Sequence, residues 1–183
     1  MEFLPKSFLD IYLQELRTCD SWSDYWSDAT SWTRFTLNAA KNACKNLGLV
    51  PSTEDLRLDL LGVEKMEKYA NWHLRVAYEH ENNSDWRSEL CKLSHVIADL
   101  RVLVYYDHFK NRKVETNLQI EIDKLKDRVM RFYPQMKWLF ICGPRKGSEG
   151  MAFRAFTLNE QGQIVELKPS GDPLVPPSNA DFT

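Results

Sequence analysis

The sequence lacks a long apolar segment and a surplus of charge of one sign. No run approaches the ~18 consecutive apolar residues of a membrane-spanning helix, and no basic-then-apolar leader opens the chain. The 24 basic and 26 acidic side chains give a formal charge of −2, which excludes a polycationic or tail-driven nucleic-acid binder. We therefore expect a cytoplasmic protein that does not associate with membranes.

A disulfide framework is also lacking. The four cysteines are widely spaced, form no CxxC pair and lie in or beside apolar stretches. We expect reduced, packed thiols, with structural zinc as the open alternative. The residues are Cys19, Cys44, Cys91 and Cys142.

The sequence has enough apolar material for one core, because 43% of its 183 residues are hydrophobic and 12% are aromatic. We predict a single α/β domain over residues 1–168, with a helical part at 1–50 and a sheet core at 55–168. Prolines and serines mark residues 169–183 as a flexible tail.

The spacing of apolar residues changes along the chain between helical and strand-like patterns. A strand, helix, strand, helix, strand order in the middle of the chain predicts a parallel sheet core. In chain order we predict helices at 8–16 and 31–47, strands at 56–63 and 71–81, a helix from Trp86, a strand at 101–106, a helix at 118–132, a strand at 138–142, and a hairpin of 151–158 and 163–167.

Acidic residues in the strand at 71–81 share one face. Alternate residues of a strand point to opposite faces, so Glu79 and Glu81 lie on one side and His80 on the other, where we expect it to be packed and hydrogen-bonded. If the preceding strand pairs with this one, Asp59 joins the two glutamates in an oxygen-donor site suited to Mg²⁺ or Mn²⁺. The alternative is that these carboxylates form the solvated face of an antiparallel sheet.

The order Asp59, Glu79-x-Glu81, helix, buried parallel strand resembles the PD-(D/E)XK, or restriction-endonuclease-like, nuclease superfamily. The resemblance covers residues 56–106, and 118–167 would complete the sheet. It implies a mixed central sheet flanked by helices, with N-terminal helices preceding the core. It also implies that Asp59, Glu79 and Glu81 are catalytic residues that bind the metal ion.

The third position of the motif departs from the usual family pattern. Most members of the superfamily have lysine there, and some have glutamate, as this chain does at Glu81. Family members sometimes carry a catalytic residue on the following helix, so Lys92 or Glu89, one helical turn apart, could reach the site, and Lys92 is the candidate to stabilise charge at the phosphate. Alternatively, Glu89 and Lys92 form an ordinary surface ion pair.

The resemblance implies a metal-dependent nuclease that hydrolyses phosphodiester bonds in DNA or RNA, with Mg²⁺ or Mn²⁺ as cofactor, and we expect DNA rather than RNA as its partner. The alternative function is a catalytically inactive nuclease-fold protein that acts as an interaction or regulatory module. Many such nucleases dimerise, and a homodimer stays open here because the sequence has no clear helical zipper.

Positive charge is concentrated between residues 110 and 146, which contain ten basic and four acidic side chains. These residues could contact phosphates beside an acidic centre. The alternative, which we favour for Lys124, Lys126 and Arg128, is the solvated face of the helix at 118–132.

Overall fold

The computed structural model describes residues 5–18, 29–53, 55–64, 73–82, 85–106, 113–128, 137–144 and 152–175, the side chains of residues 127 and 128 excepted. These ranges contain helices α1 (Pro5–Arg17), α2 (Ala29–Asn46), α3 (Trp86–Ser94) and α4 (Val114–Arg128). The strands are β1 (Val50–Ser52), β2 (Leu60–Val63), β3 (Leu74–Glu81), β4 (Leu100–Tyr106), β5 (Lys137–Gly143), β6 (Arg154–Leu158) and β7 (Ile164–Glu166). No helix in these ranges has both the length and the apolar character needed to cross a membrane.

The seven strands form one mixed sheet in the order of the sequence. Strands β1, β2 and β3 are antiparallel, β3, β4 and β5 are parallel, and β5, β6 and β7 are antiparallel. Helices α3 and α4 are the crossovers of the parallel part. The prediction of an α/β fold with a mixed central sheet and a parallel core is therefore confirmed.

Helices cover both faces of the sheet and divide the core into two clusters. Helices α1 and α2 pack on one face against Val76, Tyr78 and Val104. On the other face, Ala77 and Leu103 pack against residues of α3 and α4. All seven residues of β4 are buried, as expected for a central parallel strand that is covered on both sides.

A glycine in β2 allows α2 to approach the sheet closely. A Cβ atom built at Gly62 would lie 2.9 Å from the Sγ of Cys44 in α2 and 3.1 Å from the Cβ of Val76 in β3. Any larger residue would push the helix away from the sheet. Cys44 and Cys142 are buried free thiols and Cys91 is an exposed one, whereas Cys19 lies outside the described residues.

The predicted strand at 56–63 is wrong in its first half. Residues Asp55–Arg57 form a 3-10 turn, and β2 begins only at Leu60. The alternation of Leu58 and Leu60 resembles a strand, but Leu58 packs on the α3 and α4 side of the sheet and Leu60 on the α1 and α2 side. Strand β1, which the sequence pattern did not reveal, is a short edge strand, where a proline such as Pro51 is tolerated.

Helix and strand ends differ from the predictions at several places. Helix α4 begins at Val114, before the predicted start at 118, and residues 129–132 of that prediction lie outside the described residues. The predicted strand at 71–81 begins at Leu74 among the described residues. The predicted hairpin of 151–158 and 163–167 is present as β6 and β7, which pair antiparallel and extend the sheet, and residue 151 lies outside the described residues.

Residues 168–175, which include the start of the predicted tail, contact α1 and the core. The backbone N–H and the hydroxyl of Ser170 donate hydrogen bonds to the carboxylate of Asp10, at 2.7 and 2.6 Å. The carbonyl of Leu174 accepts a hydrogen bond from the Phe153 N–H, and the Leu174 side chain is buried. This part of the segment is thus attached to the domain.

Candidate active site

The pairing of β2 with β3 places two carboxylates next to each other. Leu60 pairs with Tyr78, so Asp59, which immediately precedes β2, lies opposite Glu79. The backbone N–H of His80 donates a hydrogen bond of 2.8 Å to Oδ2 of Asp59. Since Ala77 faces α3 and α4, strand alternation places Glu79 on that face as well.

Glu79 is a buried acid that retains one cationic partner. The residue is 1% exposed, and its Oε1 lies 2.9 Å from Nζ of Lys92. Burial raises the pKa of Glu79 to about 8, the hydrogen bond from Lys92 opposes that rise, and the negative charges of Asp59 and Glu89 add to it. The carboxyl group is therefore poised to release a proton when a cation approaches.

Helix α3 supplies the cation and a further carboxylate. Glu89 and Lys92 are three residues apart, so both point from the same side of the helix. Nζ of Lys92 contacts carboxylate oxygens of both Glu89 and Glu79. Burial opposes protonation of Lys92, but hydrogen bonds to Glu89 and Glu79 outweigh it, so the pKa of Lys92 lies above its ordinary value. The predicted Glu89–Lys92 ion pair exists, and it includes the buried Glu79.

Glu81 lies further along β3 than the cluster of Asp59, Glu79, Glu89 and Lys92. It is half-buried at the end of the strand and pairs in register with Tyr105. The acids that act electrostatically on Glu79 are Asp59 and Glu89. The structure thus brings Asp59, Glu79 and Lys92 together and adds Glu89, which sequence reasoning named only as an alternative to Lys92.

The donor chemistry of the cluster suits a hard divalent cation. Within the described part of the chain, no three or more His, Cys, Asp and Glu side chains are grouped so as to hold a metal ion, so the predicted set of Asp59, Glu79 and Glu81 does not form such a group. Asp59 and Glu79 nevertheless offer neighbouring carboxylate oxygens of the kind that Mg²⁺ and Mn²⁺ prefer. Glu79 already binds a cation, the ammonium group of Lys92.

The opposite face of β3 carries an uncharged polar cluster. Nε2 of His80 lies 3.1 Å from the hydroxyl of Tyr106, and that hydroxyl accepts a hydrogen bond from Nε1 of Trp32. Burial lowers the pKa of His80 to about 3, so the imidazole is neutral at physiological pH. The prediction that His80 is packed and hydrogen-bonded is confirmed.

Two of the basic residues for which we favoured a solvated helix face form ion pairs on α4. Nζ of Lys124 lies 2.8 Å from Glu121, and Nζ of Lys126 lies 3.2 Å from Asp123 and 2.7 Å from the carbonyl of Gly162. This agrees with the alternative of a solvated helix face. Five other basic residues between 110 and 146 lie outside the described residues: Lys110, Arg112, Arg131, Arg145 and Lys146.

Comparison with protein-family models and with curated proteins gives no match. No protein-family model matches the chain, and the search of curated proteins finds no similar sequence. The structure defines the chain as an α/β protein with a mixed seven-stranded sheet. What its carboxylate and lysine cluster can do is inferred from the geometry of that cluster.

Proposed function

We propose that the protein is a metal-dependent nuclease that hydrolyses phosphodiester bonds in DNA or RNA. The observation that supports this function is the cluster of Asp59, Glu79 and Lys92, which three different elements bring together beside the sheet. Two neighbouring carboxylates and one lysine are a suitable set for phosphate chemistry, because carboxylates hold a divalent metal and the ammonium group balances phosphate charge.

The proposed fold assignment is restriction-endonuclease-like. It is supported by the order of α2, three antiparallel strands, α3 and the parallel strand β4. Asp59 precedes the second of these strands, and Glu79 lies in the third. In this assignment Lys92 replaces the lysine that most members have at the position of Glu81.

Each residue of the cluster has a distinct role in the proposed reaction. Asp59 and Glu79 would hold Mg²⁺ or Mn²⁺, which when bound supplies a Lewis acid for the phosphate and for an attacking water. The backbone N–H of His80 fixes the orientation of Asp59. Lys92 moves from Glu79 to the phosphate and stabilises its negative charge, and Glu89 keeps the ammonium group near both.

The test combines cleavage with metal binding. Purified protein with Mn²⁺ should cleave labelled DNA or RNA, and calorimetry should detect Mn²⁺ binding that Glu79→Gln and Asp59→Asn each abolish. Glu160→Gln is the matched control, because Glu160 is an exposed acid in the turn between β6 and β7. Absence of both cleavage and Mn²⁺ binding in the unmodified protein would refute the proposed function.

A second candidate is an inactive nuclease-fold protein that acts as an interaction module. The observation that favours it is that the ammonium group of Lys92 already contacts the buried Glu79, so Glu79 has a cationic partner without a metal ion. On this alternative, Glu79→Gln leaves partner binding intact and keeps or raises stability, since it relieves carboxylate repulsion. Mn²⁺ binding that depends on Glu79 distinguishes the two candidates.

A further inference from the structure

The turn before Asp59 has an unusual backbone. Leu56 has φ 55° and ψ 24°, and Arg57 has φ 61°. They are the two non-glycine residues with positive φ in the described part of the chain. Left-handed conformations are disfavoured for residues with a Cβ atom, and leucine and arginine lack the short polar side chain that stabilises them in asparagine or aspartate.

The side chains of this turn point to solvent. Leu56 is 74% exposed, the highest value among the exposed large apolar residues. Arg57 is also exposed and makes no ion pair within the described ranges. The turn therefore combines backbone strain with an exposed apolar side chain and a cation that has no ion-pair partner among the described residues, and neither side chain contributes packing to the core.

Both ends of the turn are fixed. The hydroxyl of Ser52 donates a hydrogen bond to the carboxylate of Asp55, and the N–H of Leu58 donates a 3.0 Å hydrogen bond to the Asp55 carbonyl. Leu58 is buried in the core, and Asp59 accepts the hydrogen bond from His80. Leu56 and Arg57 are consequently presented at a defined place beside the carboxylate cluster.

We propose that Leu56 and Arg57 contact the nucleic-acid strand next to the phosphate that is cleaved. The guanidinium group of Arg57 binds an adjacent phosphate, and Leu56 packs against the neighbouring sugar or base. Charge complementarity favours this occupant, because the exposed cation of Arg57 attracts phosphate. It lies two residues from Asp59, beside carboxylates that would otherwise repel a phosphate backbone. The inference rests on the proposed function and names the surface that orients its substrate.

Binding without catalysis tests this contact. A short fluorescein-labelled duplex and single strand are titrated by anisotropy without divalent metal, over a range of salt concentrations. Arg57→Gln should weaken binding about fivefold and reduce the slope of log K against log salt by about one phosphate contact. The control for Arg57→Gln is Arg34→Gln, because Arg34 is an exposed arginine on α2. The control for Leu56→Ala is Ile97→Ala, because Ile97 is about as exposed as Leu56.

A glycine variant separates substrate contact from folding. Leu56→Gly relieves the backbone strain and should raise Tm while it weakens binding, opposite changes that loss of structure does not produce. The proposal is overturned if Arg57→Gln binds like Arg34→Gln, if no nucleic acid binds, or if Leu56→Ala instead abolishes self-association. Binding that depends on Arg57 without any cleavage would support the contact and refute the nuclease function.

Discussion

Adjacent residues of β3 place buried ionisable groups in two different environments. Glu79 faces α3, where it contacts Lys92, which also contacts Glu89, whereas His80 faces α2 and hydrogen-bonds to Tyr106. Burial raises the pKa of Glu79 to about 8 and lowers that of His80 to about 3. Burial is the main cause of both pKa shifts. It fixes His80 as neutral, and it leaves Glu79 able to change protonation near neutral pH, where Lys92 opposes the rise and Asp59 and Glu89 add to it.

Under the proposed function, the α1 and α2 face of the sheet contributes stability and the α3 face carries the chemistry. The α1 and α2 face contains large aromatic side chains in contact, such as Trp32 with Tyr106 and Phe153. On the α3 face, charged groups interrupt the apolar core at the end of β3. Substitutions on the first face should change stability alone, and substitutions on the second should change activity and pH dependence.

The largest expected effect on stability is that of Trp32→Ala on the face of the sheet that α1 and α2 cover. Trp32 is 4% exposed, and truncation of a buried tryptophan lowers the free energy of unfolding by about 3–5 kcal/mol. Urea denaturation measures this change. Nucleic-acid cleavage per folded molecule should stay unchanged, and a selective loss of cleavage at full folding would break the division between the two faces.

The pH dependence of stability should report Glu79. Its pKa is 4.5 in the unfolded chain and about 8 in the fold, so the folded state binds the proton more tightly. The free energy of unfolding should therefore fall as pH rises between these values, with a slope that approaches about 1.4 kcal/mol per pH unit without metal. Denaturation of the metal-free protein across this range measures the fall.

Glu79→Gln should remove most of that pH dependence, and Glu160→Gln should leave it in place. Equal pH profiles for the unmodified protein and Glu79→Gln would show that Glu79 is not the titrating group. Addition of Mn²⁺ should flatten the profile of the unmodified protein, since a bound cation favours the ionised carboxylate.

Lys92→Met should have a moderate effect that depends on pH. It leaves the buried Glu79 without its ammonium partner, which should lower the free energy of unfolding by about 2 kcal/mol at alkaline pH. This value is smaller than for a fully buried ion pair, because Lys92 is partly exposed. At acidic pH the loss should be small, because Glu79 is protonated there. A loss of equal size at both extremes of pH would mean that Lys92 stabilises the fold through packing instead.

The smallest effect should come from Tyr106→Phe. This change keeps the aromatic ring and removes the hydroxyl that hydrogen-bonds to His80 and Trp32. The free energy of unfolding should fall by about 1–2 kcal/mol, the usual range when buried partners lose a hydrogen bond. Thermal denaturation measures it, and a change in the pH dependence assigned to Glu79 would show that the two faces are coupled.

The central strands could be predicted from sequence because continuous apolar runs suit strands that are buried on both faces. Residues 101–106 and 138–142 are such runs, and both became parallel strands. The turn at Asp55–Arg57 could not be predicted. Leu58 and Leu60 are spaced as in a strand, but they pack on opposite faces of the sheet.

The site was predictable only in part. Alternation indicates the face of Glu79, and Asp59 could be placed beside it only on the condition that the two strands pair, which the structure shows. The contact of Lys92 with Glu79 depends on how α3 is rotated over the sheet, and that rotation is set by the packing of Trp86, Leu90 and Leu93. Tertiary packing of this kind leaves no periodic signal at Lys92 itself.

The most direct measurement is anomalous diffraction from a crystal soaked in Mn²⁺. We predict a Mn²⁺ peak between the carboxylates of Asp59 and Glu79, with the ammonium group of Lys92 moved away from Oε1 of Glu79. Full occupancy of the Lys92–Glu79 contact, with no Mn²⁺ peak beside Asp59, would contradict the assignment of this cluster as a metal-dependent active site.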